Sequence, residues 1–325
     1  MSFNINTYVD KKNLNKIIKS KVKAGKIFIG PLTSSDSKEI NQYCELGVIF
    51  LSFASDRQLA SDCVYLINFF PEDDLITLFN HFNSQARIAL LYPENNYGFY
   101  INNIIENISN NSKAILVNKS SYKEDLSNAR DAIKQLGKYE IRRQELERQK
   151  KILKDKNDEI SKRALKKIEK FETIGSLDFT HVIIADHNIR LLKIVPLLPF
   201  YDIDPNKIKF VGTGVWDNDV FFDEPSLQEA IFPGVNKEKR KDFIQEYINS
   251  YNIEPIRTST IMYDLVGLLS YIINNKLTLE KTFILLNDQK LSFEGIDGKF
   301  SFNQNLIKRD LKILQIKNGR ALPIN

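Results

Sequence analysis

Hydroxyl side chains recur just after the apolar runs of this sequence. Thr33, Ser34 and Ser35 follow KIFIGPL, Ala54, Ser55 and Asp56 follow GVIFLSF, and Tyr97 follows ARIALLYP. His187 and Asn188 follow THVIIAD, and Thr213 and Trp216 follow KIKFVG. Hydroxyls and backbone amides at strand ends can hold a carboxylate, and an aromatic ring can close over the rest of a small solute. The candidate ligand-binding set is therefore Ser34, Ser35, Ala54, Ser55, Asp56, Tyr97, His187, Asn188, Thr213 and Trp216. Ser and Asp at such points also form turns and cap helices, so a plain structural role stays open for each.

Other chemistry is poorly provided for. There is no P-loop, no GxGxxG after a strand, no GxSxG and no HExxH. The three histidines, His81, His181 and His187, come with no partner set for a general base. No catalytic residue, metal or cofactor is expected, and the chain reads as a binding protein, not an enzyme. Asp73-Asp74 after Pro71 reads as a helix cap, and Asp217 and Asp219 belong to no motif. Cys44 and Cys63 match no metal or redox spacing. They read as two buried thiols, with a disulfide open only in an oxidising compartment.

The net charge of +5 is concentrated. Residues 139–172 hold twelve Lys/Arg and eight Asp/Glu, a net of +4, so the rest of the chain is close to neutral. That argues against a nucleic-acid surface, which needs a basic face with interleaved aromatics. No apolar run is long enough to cross a membrane. The first residues, MSFNINTYVDKKNLNKIIKSK, carry no signal-peptide core.

The elements that must position the candidates alternate. Helix 11–24 precedes strand KIFIGPL; helix 36–46 precedes strand GVIFLSF; a third apolar stretch covers 65–70. Helix 72–84, strand ARIALLYP, a helix from NNYGFY and strand KAILVNK follow. After a helical stretch at 122–172, strand THVIIAD, helix 189–198 and strand KIKFVGTG resume the pattern. PSLQEAIF reads as a short helix, 237–250 and 257–274 as longer ones, and GKFSFNQN with RDLKILQIKNG as a β-hairpin. Continuous apolar strands between helices imply α/β architecture with parallel sheets covered on both faces. In such sheets the ligand crevice lies at the carboxyl ends of the strands. Stretch 122–172 reads as a solvated helical hairpin, or as a docking arm for a protein or membrane.

Several of these segments resemble a known class. KIFIGPLTSS, FLSFASD and LLYPENNYG resemble the first lobe of type I periplasmic binding proteins of the branched-chain amino-acid class. FVGTGVWDND, EPSLQEAIFPGV and FEGIDGKFSFNQN with RDLKILQIKNG resemble the penicillin-binding protein activator branch, alphaproteobacterial type. YEIRRQELERQKKIL resembles a charged helical insertion of that branch. The resemblance implies two Rossmann-like lobes joined by three crossovers. Lobe one would be 1–118 plus 253–290, and lobe two 119–252 plus 291–325 with the insertion at 122–172. It also implies a periplasmic lipoprotein that stimulates a peptidoglycan synthase, or, alternatively, the solute-binding component of an ABC importer for an amino acid or small amide. The lipid anchor, the first strand and the first helix of the family have no counterpart here, and NINTYVD aligns with the family's second strand. Lobe one is thus expected to lack a central strand. Ser34, Ala54, Ser55 and Tyr97 match positions that hold a ligand carboxylate and close the pocket. Asp56 stands where a Thr is common, His187 or Asn188 where an aromatic is found, and the acidic residue expected near Gly214 is missing.

Overall fold

The computed structural model describes residues 4–156, 158–235, 240–255 and 257–324, with only the backbone of Arg257 and Thr258. In chain order the helices are α1 (Lys11–Lys21), α2 (Ser34–Ser37), α3 (Pro71–His81), α4 (Asn96–Ser109), α5 (Ala129–Leu136), α6 (Tyr139–Lys154), α7 (Glu159–Ile168), α8 (Asn188–Ile194), α9 (Leu197–Phe200), α10 (Arg240–Tyr251), α11 (Arg257–Asn274) and α12 (Leu279–Asn287). The strands are β1 (Ile27–Ile29), β2 (Ile49–Ser52), β3 (Val64–Leu66), β4 (Arg87–Pro93), β5 (Ile115–Tyr122), β6 (His181–Ile184), β7 (Lys209–Val211), β8 (Ile231–Gly234), β9 (Phe293–Gly295), β10 (Gly298–Asn303), β11 (Leu306–Arg309), β12 (Lys312–Lys317) and β13 (Arg320–Pro323).

The chain divides into two compact units, one of Met1–Asp73 and Val235–Leu311, the other of Asp74–Gly234 and Lys312–Asn325. The boundaries differ from 118/119, 252/253 and 290/291. The reason is pairing: β4 and β5 hydrogen-bond with β6 and so belong to the second unit, while β10 and β11 join β3 in the first.

The first sheet runs β1-β2-β3-β11-β10-β9. β1, β2, β3 and β11 are parallel, and β10 and β9 add antiparallel edges. β2 and β3 are buried along their whole length, as strands covered on both faces must be. Phe50, Tyr65, Phe302, Ile261 and Leu265 lie in the same apolar core. Asp10 caps α1 by accepting the amide of Asn13. The segment NINTYVD forms no strand. Predicted helix 36–46 is instead the single turn α2 and a 3₁₀ stretch over Ile40–Leu46, ended by Gly47 at φ 66°. Cys44 and Cys63 are joined by a disulfide with Cα atoms 5.3 Å apart, which corrects the reading as two thiols.

The second sheet runs β13-β12-β8-β7-β6-β4-β5. β5, β4, β6, β7 and β8 are parallel, and β12 and β13 are antiparallel. Two sequence readings fail here. PSLQEAIF contains one 3₁₀ turn (Pro225–Leu227) and then enters strand β8. GKFSFNQN and RDLKILQIKNG do not pair: β10 pairs with β11, and β12 pairs with β8 and β13 of the other sheet. α5 packs its buried Ala129, Ile133 and Leu136 into the core with Tyr122 and Val182, so only α6 and α7 stand as an insertion.

At the start of β6, His181 lies against Phe82, with ring centroids 4.9 Å apart. Burial holds its imidazole at about 4, below the ordinary 6.5, with Lys209 and His81 adding to the effect. A lowered folded pKa favours the neutral form, so the stabilisation is complete above the ordinary value and disappears as pH falls from 6.5 toward 4. We expect His181→Phe to remove about 2 kcal/mol of the acid-induced loss of stability over that window. Urea midpoints of both proteins near neutrality and near the lower end of the window check this. Equal pH dependence in the two would refute it.

Candidate ligand-binding residues

In the first unit the loops after β1 and β2 are stitched together by hydroxyls. Ser34 Oγ accepts the backbone amides of Ser55 and Asp56, at 3.0 and 3.2 Å, and lies 3.4 Å from Ser55 Oγ. Ser52 Oγ, Ser37 Oγ and the Pro31 carbonyl form a second stitch beneath. Thr33 caps α2 by accepting the Asp36 amide. Asp56 Oδ1 accepts the amide of Gln58 and opens a 3₁₀ turn. For Asp56 the structural alternative is therefore realised. Ser35 and Ser55 are exposed and Ser34 is half-buried. Ala54 is fully buried in the core of this unit, and its backbone amide, the group that could meet a carboxylate, donates to Ser52 Oγ at 3.1 Å.

In the second unit Tyr97, His187 and Thr213 meet. The Tyr97 hydroxyl lies 2.7 Å from Thr213 Oγ1, and its ring stands edge-on to His187 at 5.4 Å. The three come from the residues after β4, β6 and β7, adjacent parallel strands. His187 precedes α8 at the capping position without a side-chain cap, and its Nδ1 is buried with no hydrogen-bond partner among the described residues. Asn188 is exposed at φ 57°. Trp216 does not line a surface: it is fully buried in the apolar core and donates Nε1–H to the Asp186 carbonyl at 3.1 Å.

Asp186 was not among the candidates. Its carboxylate, fully buried, accepts from the Tyr122 hydroxyl at 2.6 Å, from the His187 amide at 2.7 Å and from the Arg190 guanidinium at 3.0 Å. Burial, then the neighbouring Asp186 charge, pushes the Tyr122 hydroxyl far above the usual phenol range. An Asp directly after an apolar strand with an Arg four residues on was a readable signal. Near Gly214 lies the buried carboxylate of Asp74, whose Oδ2 accepts the Gly214 amide at 3.1 Å. A side chain at 214 would collide with that carboxylate, its Cβ only 2.4 Å away. Asp73 and Asp74 both lie inside α3, which begins at Pro71. Asp73 pairs with Arg57 and Lys308, at 2.9 and 2.6 Å. Among the described residues no group of three His, Cys, Asp or Glu is placed to hold a metal ion, and no helix is long and apolar enough to cross a membrane.

No protein-family model matches the sequence, and no curated protein does. Solved structures do match along almost the whole chain. A protein assigned to branched-chain amino acid ABC transport from Rhodospirillum rubrum superposes with a TM-score of 0.68 at 12% identity, covering 97% of this chain and 85% of that one. The fold is that of the type I periplasmic binding proteins. A branched-chain amino acid substrate-binding protein from Streptococcus pneumoniae, in complex with isoleucine, shares it at 18% identity and a TM-score of 0.55, covering 94% and 80%. A Rhodopseudomonas palustris ABC-transporter solute-binding protein, in complex with 3,4-dihydroxybenzoic acid, does so at 12% identity and 0.60, covering 97% and 80%. In this type I periplasmic binding protein fold the candidates that remain are those at the carboxyl ends of parallel strands.

Proposed function

We propose that this protein is a non-enzymatic solute-binding component of an ABC importer, taking a small molecule that carries a carboxylate. The observation that supports this is the gathering of Tyr97, His187 and Thr213 after three adjacent parallel strands, where α/β sheets hold ligands. The exposed hydroxyls of Ser35 and Ser55 and the half-buried Ser34 sit at the equivalent strand ends of the first sheet. Isoleucine and 3,4-dihydroxybenzoic acid, bound by two proteins of this fold, share a carboxylate. The Cys44–Cys63 disulfide supports an oxidising, periplasmic location.

A second reading is a regulator that stimulates a peptidoglycan synthase by contact. Ser34 Oγ already occupies the amides of Ser55 and Asp56, leaving fewer donors for an anion. One screen separates the two. In thermal melts against amino acids, small amides and aromatic acids, a true ligand at about 1,000 times its Kd adds about 4 kcal/mol, several degrees for a chain of this size. Tyr97→Ala should abolish that shift while the unliganded melting temperature stays within a few degrees. A flat screen would favour the synthase regulator.

A further inference from the structure

The insertion α6–α7 is held at its root and charged along its length. Arg142, near the start of α6, pairs with Asp202 at 2.8 Å, and Thr173, just beyond α7, donates its hydroxyl to the same carboxylate oxygen. The Ile174 amide donates to the Arg142 carbonyl. Asp158 caps α7, accepting the amide and the hydroxyl of Ser161. Leu146 and Ser161 are buried in the seam. The arm is thus anchored where it leaves the second unit and cannot serve only as a slack connection.

Most acids of the arm are already satisfied. Glu145 holds Arg148, Glu147 holds Lys150, Glu159 holds Lys162 and Glu140 holds Lys134. Asp155, Glu169 and Glu172 are the acids outside these pairs and the Asp158 cap. In contrast Arg163, Lys166, Lys167 and Lys170 are exposed and in no ion pair among the described residues, as are Lys151 and Lys154 of α6. Arg163 and Lys166 fall on the face of α7 opposite its seam residues Ser161, Leu165 and Ile168, as the 3.6-residue repeat requires, and Lys170 follows in the turn just past its end. Two exposed apolar side chains lie near these cations in the chain, Ile160 in the first turn of α7 at 81% exposure and Phe171 just past its end at 46%.

We infer that α6–α7 docks on an anionic phospholipid surface. Long cationic stems with apolar side chains beside them suit a headgroup layer, where the charges meet phosphates and the apolar groups enter the interface. An acidic protein partner would meet the cations as well, but charge alone gives Ile160 and Phe171 no reason to be exposed. The inference is independent of whether a solute binds.

The test is sedimentation of the full chain with vesicles of phosphatidylglycerol and phosphatidylcholine, against phosphatidylcholine alone. Binding is expected only to the anionic vesicles, and should be lost on raising salt from about 0.1 M to about 1 M. Each Lys or Arg near an anionic leaflet is worth roughly fivefold in binding. The variant Arg163→Gln/Lys166→Gln/Lys167→Gln/Lys170→Gln should therefore bind several hundredfold more weakly, on the order of that factor compounded. The charge-preserving variant Lys166→Arg/Lys167→Arg/Lys170→Arg should bind as the parent does, which separates loss of charge from loss of fold. No binding to the anionic vesicles, or equal binding by the glutamine variant, would overturn the inference. Binding to polyglutamate without binding to vesicles would overturn it in favour of an acidic protein partner.

Discussion

Arg240→Met is expected to remove about 3–5 kcal/mol from the stability of the first unit. Arg240 opens α10 and reaches Asp297, in the turn between β9 and β10, through Nε at 2.7 Å and through a second guanidinium nitrogen. Asp297 is completely buried, and its other oxygen accepts the Thr260 hydroxyl at 2.6 Å. Removing the guanidinium leaves a carboxylate in the interior with the Thr260 hydroxyl as its one side-chain donor among the described residues. Breaking such a pair costs more than the pair itself contributes, because the remaining charge has lost both water and partner. Arg240→Met/Asp297→Asn, which removes both charges, should recover most of the loss. Calorimetry of the three proteins decides the matter. A loss below about 1 kcal/mol for Arg240→Met would mean that water reaches Asp297 and that the pair is peripheral.

The second large effect belongs to Arg190→Met, for which we expect a loss of about 3 kcal/mol in the second unit. Arg190 presents three nitrogen–oxygen contacts to Asp186, between 3.0 and 3.2 Å, and its other end lies 3.3 Å from Glu124. Tyr122 and the His187 amide would remain on Asp186, which is why the expected loss falls at the lower end of the range for buried pairs. Trp216, the only tryptophan of the chain, donates to the Asp186 carbonyl and reports on this network directly. The variant should shift the Trp216 emission midpoint in urea to lower concentration. An unchanged midpoint would show that Tyr122 and the amide alone hold the charge.

The parts of this molecule readable beforehand were those set by local pattern. Continuous apolar runs such as ARIALLYP and THVIIAD are buried parallel strands because only a sheet covered on both faces tolerates them. Tyr97, His187 and Thr213, picked for their place after strands, lie together because such sheets leave polar groups side by side at strand ends. What escaped was pairing at a distance. Arg240 and Asp297 are separated by 57 positions, and nothing in either segment names the other. β8 was hidden by Pro233 and by its four-residue length. β10 and β12 have the spacing of a hairpin, yet β11 stands between them and takes the pairing of β10. The burial of Trp216 and Ala54 escaped for a related reason: position after a strand says where a residue is, not which way its side chain faces.

The interleaving of the two units also sets an order of events during synthesis. β4 to β8, the parallel part of the second sheet, lie within 87–234 and leave the ribosome as one uninterrupted stretch. β3 in the first sheet waits for β11, at 306–309, to cover its other edge. Residues made first thus complete their unit late, while the middle of the chain can fold around its own sheet. For the nascent protein, Val64–Leu66 is an uncovered apolar edge through the synthesis of some 240 further residues, the kind of edge that holding chaperones protect.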